Sequence, residues 1–515
     1  MKIITNFKMC VMKLNKYFMM GAMGLSLVAC SDNLDENGQS ANGTNPNEGT
    51  TYVGIALDFG QSVTSRAKYD GSQPETGTPD AGTDGERDVN SVRIIITNTS
   101  NVIEKNVFYG SSALQGQDGL GKYVFSITPG EKRFYAFLNE EDGNSDLTAT
   151  SGTLSNEDLA KAASSFYTSG GTNNATATDF AMSSTDVVEQ EIVDNVSQEE
   201  ATSSSSVNQV KLEVERMVAK VSVALDENML TNQDNAFTLK ALDCKIGNAD
   251  NYEFTTPSTY TSAGTYRWAN NDATGGYRTT PYYSWPATLE SAFESWNETY
   301  VLSEAQTVYN GTTPSTAIFY CLENTHAVGS YRQGNTTFIR VEATMIPKQV
   351  MTFSITGDAD KTITPQTPAD VSGVDNAKTF YRIVGAPEEH RDNFINTYIF
   401  EDELSSYTTA LGVDDLADVI AALETEGYAF EKYDGGKGNY TLWVNDYNTD
   451  ADDKNNNLAP VFRNDWYAYT INSIQLPGNS GGIDDPEQPI HPDTWLGVTL
   501  TIKPWNFKDI DIDLQ

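Results

Sequence analysis

Apolar and polar residues alternate along most of this chain, and clusters of Gly, Asn, Asp and Ser separate the alternating runs. Alternation with a period of two places successive side chains on opposite faces of a β-strand. The pattern therefore predicts a mainly β protein. The predicted strands cover residues 51–59, 91–99, 122–128, 132–140, 210–226, 236–248, 316–324, 337–347, 438–448 and 466–476.

Two segments have apolar residues at helical spacing instead. Residues 153–166 begin with Ser155 as a candidate N-cap and carry acidic residues in the first turn. Residues 405–428 have apolar residues three and four positions apart and are predicted to be a helical insertion.

The length of 515 residues predicts two or three domains. The alternation changes phase within 210–226, because Leu212 and Val214 lie on one phase and Met217 and Ala219 on the other. Such a change indicates either a bulge at Arg216 or a strand that crosses between two domains. We expect a domain boundary near residue 216.

The N-terminal residues are typical of a lipoprotein signal peptide. Lys13 and Lys16 precede the apolar stretch 17–29, which is too short to span a bilayer. The stretch ends in small residues before Cys30, as in a lipobox, so we expect cleavage between Ala29 and Cys30 and lipidation of the cysteine. Residues 1–30 are thus a predicted signal and 31–66 begin with a polar tether; either Met1 or Met12 would serve as the start.

The chain ends in two alternating runs behind a segment rich in turn residues. The segment 477–493 contains many Gly, Pro and Asp residues and is predicted to be a flexible hinge outside any core. The runs that follow, separated by Pro504, are Leu496, Val498, Leu500 and Ile502, and then Ile510, Ile512 and Leu514. Two interpretations stay open: a hairpin packed on its own domain, or a strand that pairs with the sheet edge of another molecule.

Charge and composition exclude several classes of function. A net charge of −38 argues against nucleic-acid binding. The three histidines are far apart and none has a metal-ligand spacing, so we expect no active site, metal or cofactor. The aromatic-rich segment 277–296 could stack against a carbohydrate, although core packing is the commoner role of such residues. Cys244 and Cys321 are expected to be free and buried, although a disulfide stays possible.

Several stretches, taken together in order, resemble one family. They are the lipobox, LDFGQSVTSRAKYDG (57–71), RFYAFLN (133–139), VERMVAKVSV (214–223), CLENTHAVGSYRQGNTTFIRVEATMIP (321–347), PVFRNDWYAYTINSI (460–474) and LGVTLTIKPWNFKDIDIDL (496–514). This set resembles the Mfa1-type major fimbrial subunits of Bacteroidales, within the wider FimA-type (type V) pilins. The resemblance implies two β-sandwich-like (transthyretin-like) domains, here 67–215 and 216–476, followed by a donor-strand appendage at 477–515.

The resemblance also implies a route of assembly. Such subunits are exported as lipoproteins to the outer membrane, and an arginine-specific surface protease then removes an N-terminal strand. Arg66, the first arginine of the chain, stands at the matching position, so the expected cleavage lies between Arg66 and Ala67. The removed strand would carry Val53, Ile55, Leu57 and Phe59. The alternating C-terminal residues named above would fill the groove of the next subunit.

The implied partners are further copies of the chain, anchor and tip subunits, the protease, and ligands on host or bacterial surfaces. Other interpretations remain beside this one. Arg66 would be an ordinary surface arginine in a permanently anchored glycan-binding lipoprotein, and an anchor or tip subunit would lack either the cleavable arginine or the donor tail. A hydrolase has no supporting set of residues.

Overall fold

The structure is a computed structural model. The residues it describes are 51–58, 75–76, 82–83, 85–114, 123–139, 147, 150–154, 160–162, 180–185, 187–231, 235–247, 252–254, 305–326, 331–334, 336–358, 360–445, 447–448, 457–478, 490 and 496–504. These residues form a mainly β structure, as the alternation predicted.

The strands, in chain order, are β1 (Thr51–Asp58), β2 (Glu75–Thr76), β3 (Val92–Asn98), β4 (Ile103–Tyr109), β5 (Tyr123–Ile127), β6 (Gly130–Leu138), β7 (Ala160–Ala162), β8 (Met182–Ser184), β9 (Val188–Ile192), β10 (Gln209–Arg216), β11 (Val218–Leu225), β12 (Phe237–Gly247), β13 (Tyr252–Phe254), β14 (Gln306–Tyr309), β15 (Ala317–Leu322), β16 (Phe338–Pro347), β17 (Gln349–Val350), β18 (Phe353–Thr356), β19 (Thr362–Pro365), β20 (Ala369–Asp370), β21 (Phe380–Gly385), β22 (Tyr398–Phe400), β23 (Ala429–Tyr433), β24 (Lys437–Trp443), β25 (Tyr447–Asn448), β26 (Asn457–Leu458), β27 (Asp465–Ile474) and β28 (Leu496–Pro504). The helices are short: α1 (Ser111–Leu114), α2 (Gln198–Ala201), α3 (Glu227–Thr231), α4 (Arg391–Phe394), α5 (Glu401–Ser406), α6 (Thr408–Leu411) and α7 (Leu416–Thr425).

The N-terminal part of the described chain forms an eight-stranded sheet. Its strand order is β4-β3-β6-β8-β10-β1-β5, and β9 pairs with β6. The inward side chains of these strands share one apolar core, to which both the β3 side and the β5 side of the sheet contribute. The first described strand, β1, is therefore an interior strand of this sheet, next to the edge strand β5.

The C-terminal part contains two sheets that face each other. A five-stranded sheet has the order β15-β11-β27-β28-β2, and a four-stranded sheet has the order β14-β12-β16-β24. Side chains of both sheets belong to one large core, with Val221 and Tyr467 on one side and Val341 and Leu442 on the other. This arrangement is a β-sandwich.

The chain passes from the first sheet to the sandwich within a single residue. β10 ends at Arg216 in the eight-stranded sheet, and β11 begins at Val218 in the five-stranded sheet. The change of alternation phase at this point is thus accompanied by a change of sheet. The division into two domains at residue 216 stays a prediction.

The helical insertion predicted at 405–428 is present as three short helices. α5, α6 and α7 occupy most of this range and begin slightly earlier, at Glu401. Gly412, in the left-handed conformation, follows the last residue of α6 and ends that helix. These helices cover a separate core with β18, β21 and β22.

The helix predicted at 153–166 is wrong where the structure describes it. Residues 160–162 form β7, which pairs antiparallel with β13. The helical spacing of the sequence is a local signal, and here pairing with a distant strand overrides it. Leu154, close to the predicted N-cap, is buried in non-helical chain.

Candidate functional site

β1 is an interior strand with a neighbour on each side. It runs parallel to β10, with Ile55 opposite Val210, and antiparallel to β5, with Ile55 opposite Tyr123. Among the strands that the structure describes, β5 pairs with β1 alone. Removing β1 would therefore break the sheet and leave a groove between β10 and β5.

The inward face of β1 is fully buried. Val53, Ile55 and Leu57 each have 0% exposure and lie in the core of the eight-stranded sheet. Phe59, the fourth member of the predicted set, lies outside the described residues. The sequence prediction of alternating groove-facing residues is consistent with these three positions.

The outward face of β1 lies under helix α2. Gly54 approaches the backbone carbonyl oxygen of Ala201 so closely that a Cβ atom at residue 54 would overlap it. The helix is held by a capping box between Ser197 and Glu200, and hydrogen bonds from the Ser197 backbone N–H and hydroxyl keep the pKa of Glu200 below its ordinary value. Glycine is therefore required where β1 passes beneath α2.

Polar contacts fix both ends of β1. The buried Thr51 hydroxyl donates to the Val193 carbonyl oxygen at 2.7 Å and accepts from the Asn208 side-chain amide at 3.2 Å. The same amide donates to the Tyr52 carbonyl oxygen at 2.9 Å. At the other end, Asp58 forms an ion pair with Lys211 of β10. Each end of the groove therefore has a polar contact for the strand that fills it: the site of the Thr51 hydroxyl at one end and Lys211 at the other.

β28, the predicted donor strand, lies on its own sandwich in the single chain. It pairs antiparallel with β27 along its length, and on its other side with β2 at Thr501 and Ile502. Leu496 is buried, whereas Val498 and Leu500 are only half-buried. The first of the two C-terminal runs therefore packs on its own sandwich in the single chain, and the second run, with Ile510, Ile512 and Leu514, lies outside the described residues.

The predicted hinge is in part anchored. Pro477 and Gly478 are buried, the Tyr433 hydroxyl donates to the Gly478 carbonyl oxygen at 2.8 Å, and Ile490 has 1% exposure. The prediction that 477–493 contributes nothing to a core is therefore wrong at these residues. Gly438 of β24 lies against the Pro477 carbonyl oxygen with no room for a side chain, a close approach that composition does not reveal.

A buried charged cluster joins the eight-stranded sheet to the five-stranded sheet of the sandwich. The sequence analysis did not predict this cluster. The Lys220 ammonium lies 2.8 Å from a Glu86 carboxylate oxygen, which also accepts from the Tyr320 hydroxyl at 2.6 Å. Arg216 donates to the Glu86 backbone carbonyl at 2.8 Å. Burial lowers the pKa of Arg216 to about 9, while the Glu86 carboxylate opposes this change. Glu86 stands in a loop-like sequence, so no periodicity marked it.

Several predicted residues lie outside the described part of the chain. They are Ala29, Cys30, Arg66, Ala67, Ile510, Ile512, Leu514 and the aromatic segment 277–296; for Ile502 the structure describes the backbone pairing only. Cys244 and Cys321 are free and buried. Within the described residues, no cluster of His, Cys, Asp and Glu could hold a metal ion, and none of the helices has the length and apolar character needed to cross a membrane.

Comparison with known proteins connects the C-terminal part of the chain to one family. Residues 431–511 match the family model described as "Major fimbrial subunit protein type IV, Fimbrillin, C-terminal". The matched range contains β24, β27 and β28. The search of curated proteins found no match.

Solved structures of similar proteins were also found. A fimbrilin (fimA) from Porphyromonas gingivalis W83 is 14% identical, with 89% of this chain and 98% of that chain covered and a TM-score of 0.43. The tip fimbrial protein Mfa3 from Porphyromonas gingivalis is 12% identical, with 88% and 100% covered and a TM-score of 0.34. Similarity at these scores carries no argument about the present chain. The segment 431–511 is thus similar in sequence to the C-terminal region of the major fimbrial subunit proteins, a family of structural subunits and not of enzymes.

Proposed function

We propose that this protein is a shaft subunit of a surface fimbrium that serves adhesion and colonisation. In this proposal it is of the Mfa1 type, is exported as an outer-membrane lipoprotein modified at Cys30, and is cut between Arg66 and Ala67. The C-terminal strand of one subunit then fills the groove of the next. The observation that carries the proposal is the position of β1, a buried strand paired on both sides that lies on the N-terminal side of Arg66.

Proteolysis is needed because the attached β1 outcompetes any strand from another molecule. Its effective concentration at its own groove is on the order of millimolar, whereas a strand on another subunit competes from much lower levels. A thousandfold difference corresponds to about 4 kcal/mol. Once the chain is cut after Arg66, β1 becomes a separate peptide and loses this advantage.

Differences in burial favour exchange in the proposed direction. In the groove, Val53, Ile55 and Leu57 are fully buried, and burial of each contributes about 1.5–3 kcal/mol. On β27, Val498 and Leu500 remain half-buried. A donor strand that moves from β27 into the groove would gain burial of Val498 and Leu500. It would exchange its pairing with β27 and, at two residues, with β2 for pairing with β10 and β5, and Leu496 would give up its buried place on the sandwich.

The rest of the subunit has contacts of its own that do not involve β1. Glu86 lies on the C-terminal side of Arg66 and connects its segment to Lys220, Tyr320 and Arg216. The segment around Glu86, which follows the proposed cut, is therefore bound where the eight-stranded sheet meets the five-stranded sheet. Cleavage would release β1 and leave this junction in place.

The proposed role of shaft subunit rests on two features of the chain, the arginine at which it would be cut and the C-terminal donor strand. A cleavable arginine and a donor tail together permit head-to-tail growth, whereas an anchor subunit would lack the first and a tip subunit the second. The proposed partners are other copies of the chain, anchor and tip subunits, an arginine-specific surface protease, and ligands on host or bacterial surfaces.

The test uses the soluble precursor without its predicted signal and Cys30, treated with an arginine-specific protease. We expect a new N-terminus at Ala67 and a ladder of multimers on an unboiled SDS gel. The variant Arg66→Ala should stay monomeric, and Arg391→Ala, which removes an exposed arginine of α4, should behave as the unaltered protein does. A clean cut after Arg66 that leaves a stable monomer would contradict the proposal and return attention to glycan binding.

A further inference from the structure

We propose that the donor strand enters the groove in one register, in which residues 494–502 occupy the positions of residues 51–59; this rests on the proposed function. The two segments, TYVGIALDF (51–59) and TWLGVTLTI (494–502), correspond position by position. Each has Thr first, an aromatic residue second, glycine fourth, and apolar residues at the third, fifth, seventh and ninth positions. Alternation alone would permit shifts of two residues, so the register must come from another contact.

That contact is the passage beneath α2. A Cβ atom at residue 54 would overlap the Ala201 carbonyl oxygen and lie 2.8 Å from the Gln209 side-chain oxygen. The first obstacle is backbone, so trimming a side chain cannot remove it. Ala201 itself has 0% exposure, and the capping box holds the helix in place. Whichever strand fills the groove must therefore present glycine at this point.

β28 contains one glycine, Gly497, and it falls in phase with the apolar residues. With Gly497 at position 54, Leu496, Val498 and Leu500 take the places of Val53, Ile55 and Leu57. A shift of two residues in one direction would put Thr499 against α2, and in the other direction Trp495. The glycine thus selects one register among those that alternation allows.

The same contact selects the direction of the strand. If the donor ran the opposite way with Gly497 still beneath α2, Thr494 would fall at the fully buried Leu57 and Leu500 at Thr51. Thr51 occupies a polar site, bonded to Val193 and Asn208. The donor must therefore run parallel to β10 and antiparallel to β5, as β1 does.

In the proposed register the ends of the donor also match the ends of the groove. Thr494 has the same hydroxyl as Thr51, which donates to the Val193 carbonyl oxygen and accepts from Asn208. At the other end Thr501 replaces Asp58, so the ion pair with Lys211 is lost on exchange. Thr499 replaces the smaller Ala56 and lies next to Lys211 of β10, the position opposite residue 56.

Cysteine pairs placed on different molecules measure the register directly. One precursor carries Lys211→Cys and another carries Thr499→Cys; both are cleaved, mixed and gently oxidised. Residue 211 stands opposite position 56, so we expect a disulfide-linked dimer across the subunit boundary. The matched control mixes Lys211→Cys with Thr501→Cys, two residues away along the donor, and should give little crosslinked dimer.

The outcomes separate the register from the proposed function. Multimers in which residue 211 crosslinks to 501 in preference to 499 would overturn the register and leave donor-strand exchange intact. Multimers with neither crosslink would also overturn the register. If cleavage gives no multimers, the proposed function fails and the register fails with it.

A second variant tests the glycine itself. Gly497→Ala adds the methyl group that the Ala201 carbonyl excludes, and we expect about a tenfold loss of multimers, which corresponds to about 1.4 kcal/mol. Its own groove is unaltered, so in a mixture with cleaved unaltered protein it should accept a donor strand and shorten the ladder. Thr409→Ala, at an exposed position of α6 outside the donor strand, serves as the control and should assemble normally. If Gly497→Ala, without unaltered protein, gave full-length ladders, the proposal would be overturned. Assembly of Gly497→Ala in a shifted register only would also overturn it.

Discussion

The Lys220 ammonium lies 2.8 Å from the Glu86 carboxylate, and both side chains are almost completely excluded from water. Lys220 also stands 3.9 Å from the centre of the Trp466 ring, on the neighbouring strand β27. Glu86 comes from the chain ahead of β3, and Lys220 from the sandwich. This pair therefore joins two parts of the molecule that are distant in sequence.

Glu86→Ala should strongly destabilise the protein. It would leave Lys220 buried without this carboxylate, and loss of one partner from a buried ion pair costs about 3–5 kcal/mol. The measurement is the free energy of unfolding from denaturant titration. Glu189→Ala, which breaks the exposed pair with Arg133, is the control and should change that free energy by less than about 1 kcal/mol. Similar values for the two variants would contradict the role assigned to Glu86.

Stability should fall at alkaline pH because of buried tyrosines. Burial raises the pKa of Tyr398 to about 12 from its ordinary value of 10.0. An unfolded tyrosine loses its proton near pH 10 while the folded one keeps it, so this contribution is complete below pH 10 and disappears as the pH rises towards 12. Tyr398→Phe should therefore give a shallower loss of unfolding free energy between these pH values. Equal slopes for variant and unaltered protein would refute the assignment.

Much of the fold could be predicted from the sequence because period two marks strands strongly. The strand predicted at 337–347 is β16, and the one predicted at 466–476 is β27 with a shift of one or two residues. The small sheet of β21, β22 and β23 was not predicted. Its strands are short, and Tyr381 and Ile399 pack in a core of their own rather than extending a regular alternation.

The residues on the inward face of β1 could be predicted from the sequence, but the contacts of its outward face could not. Alternation identified Val53, Ile55 and Leu57, which are buried together in the structure. The need for glycine at residue 54 depends on α2, which folds over the strand from a position far along the chain. Likewise, Asn208 meets Thr51 only through tertiary structure. Local sequence patterns do not predict contacts between residues that are far apart in the chain.

Thr494→Val should weaken assembly while leaving cleavage unchanged. In the proposed register it removes the hydroxyl that would take the place of Thr51, and a buried partner left unsatisfied costs about 1–3 kcal/mol. The measurement is the denaturant concentration at which purified multimers dissociate. Thr364→Val, at an exposed position of β19 outside the donor strand, is the control of matched chemistry. Equal dissociation midpoints would argue against the match between Thr494 and Thr51.

Leu57→Ala should destabilise the precursor but not the polymer, whereas Leu500→Ala should act mainly on the polymer. Leu57 has 0% exposure in the precursor, so its truncation should lower the free energy of unfolding by about 2–5 kcal/mol. After cleavage β1 is gone, and polymers of this variant should dissociate at the same denaturant concentration as unaltered ones.

Leu500→Ala should weaken the polymer more than the precursor, because Leu500 is half-buried on β27 but would take the fully buried place of Leu57 after exchange. We expect a precursor destabilised by about 1 kcal/mol and polymers weakened by about 2–5 kcal/mol. Denaturant titration of precursor and polymer measures both quantities for both variants. If Leu57→Ala weakened the polymer as much as the precursor, β1 would still occupy the groove, and exchange of the two strands would be ruled out.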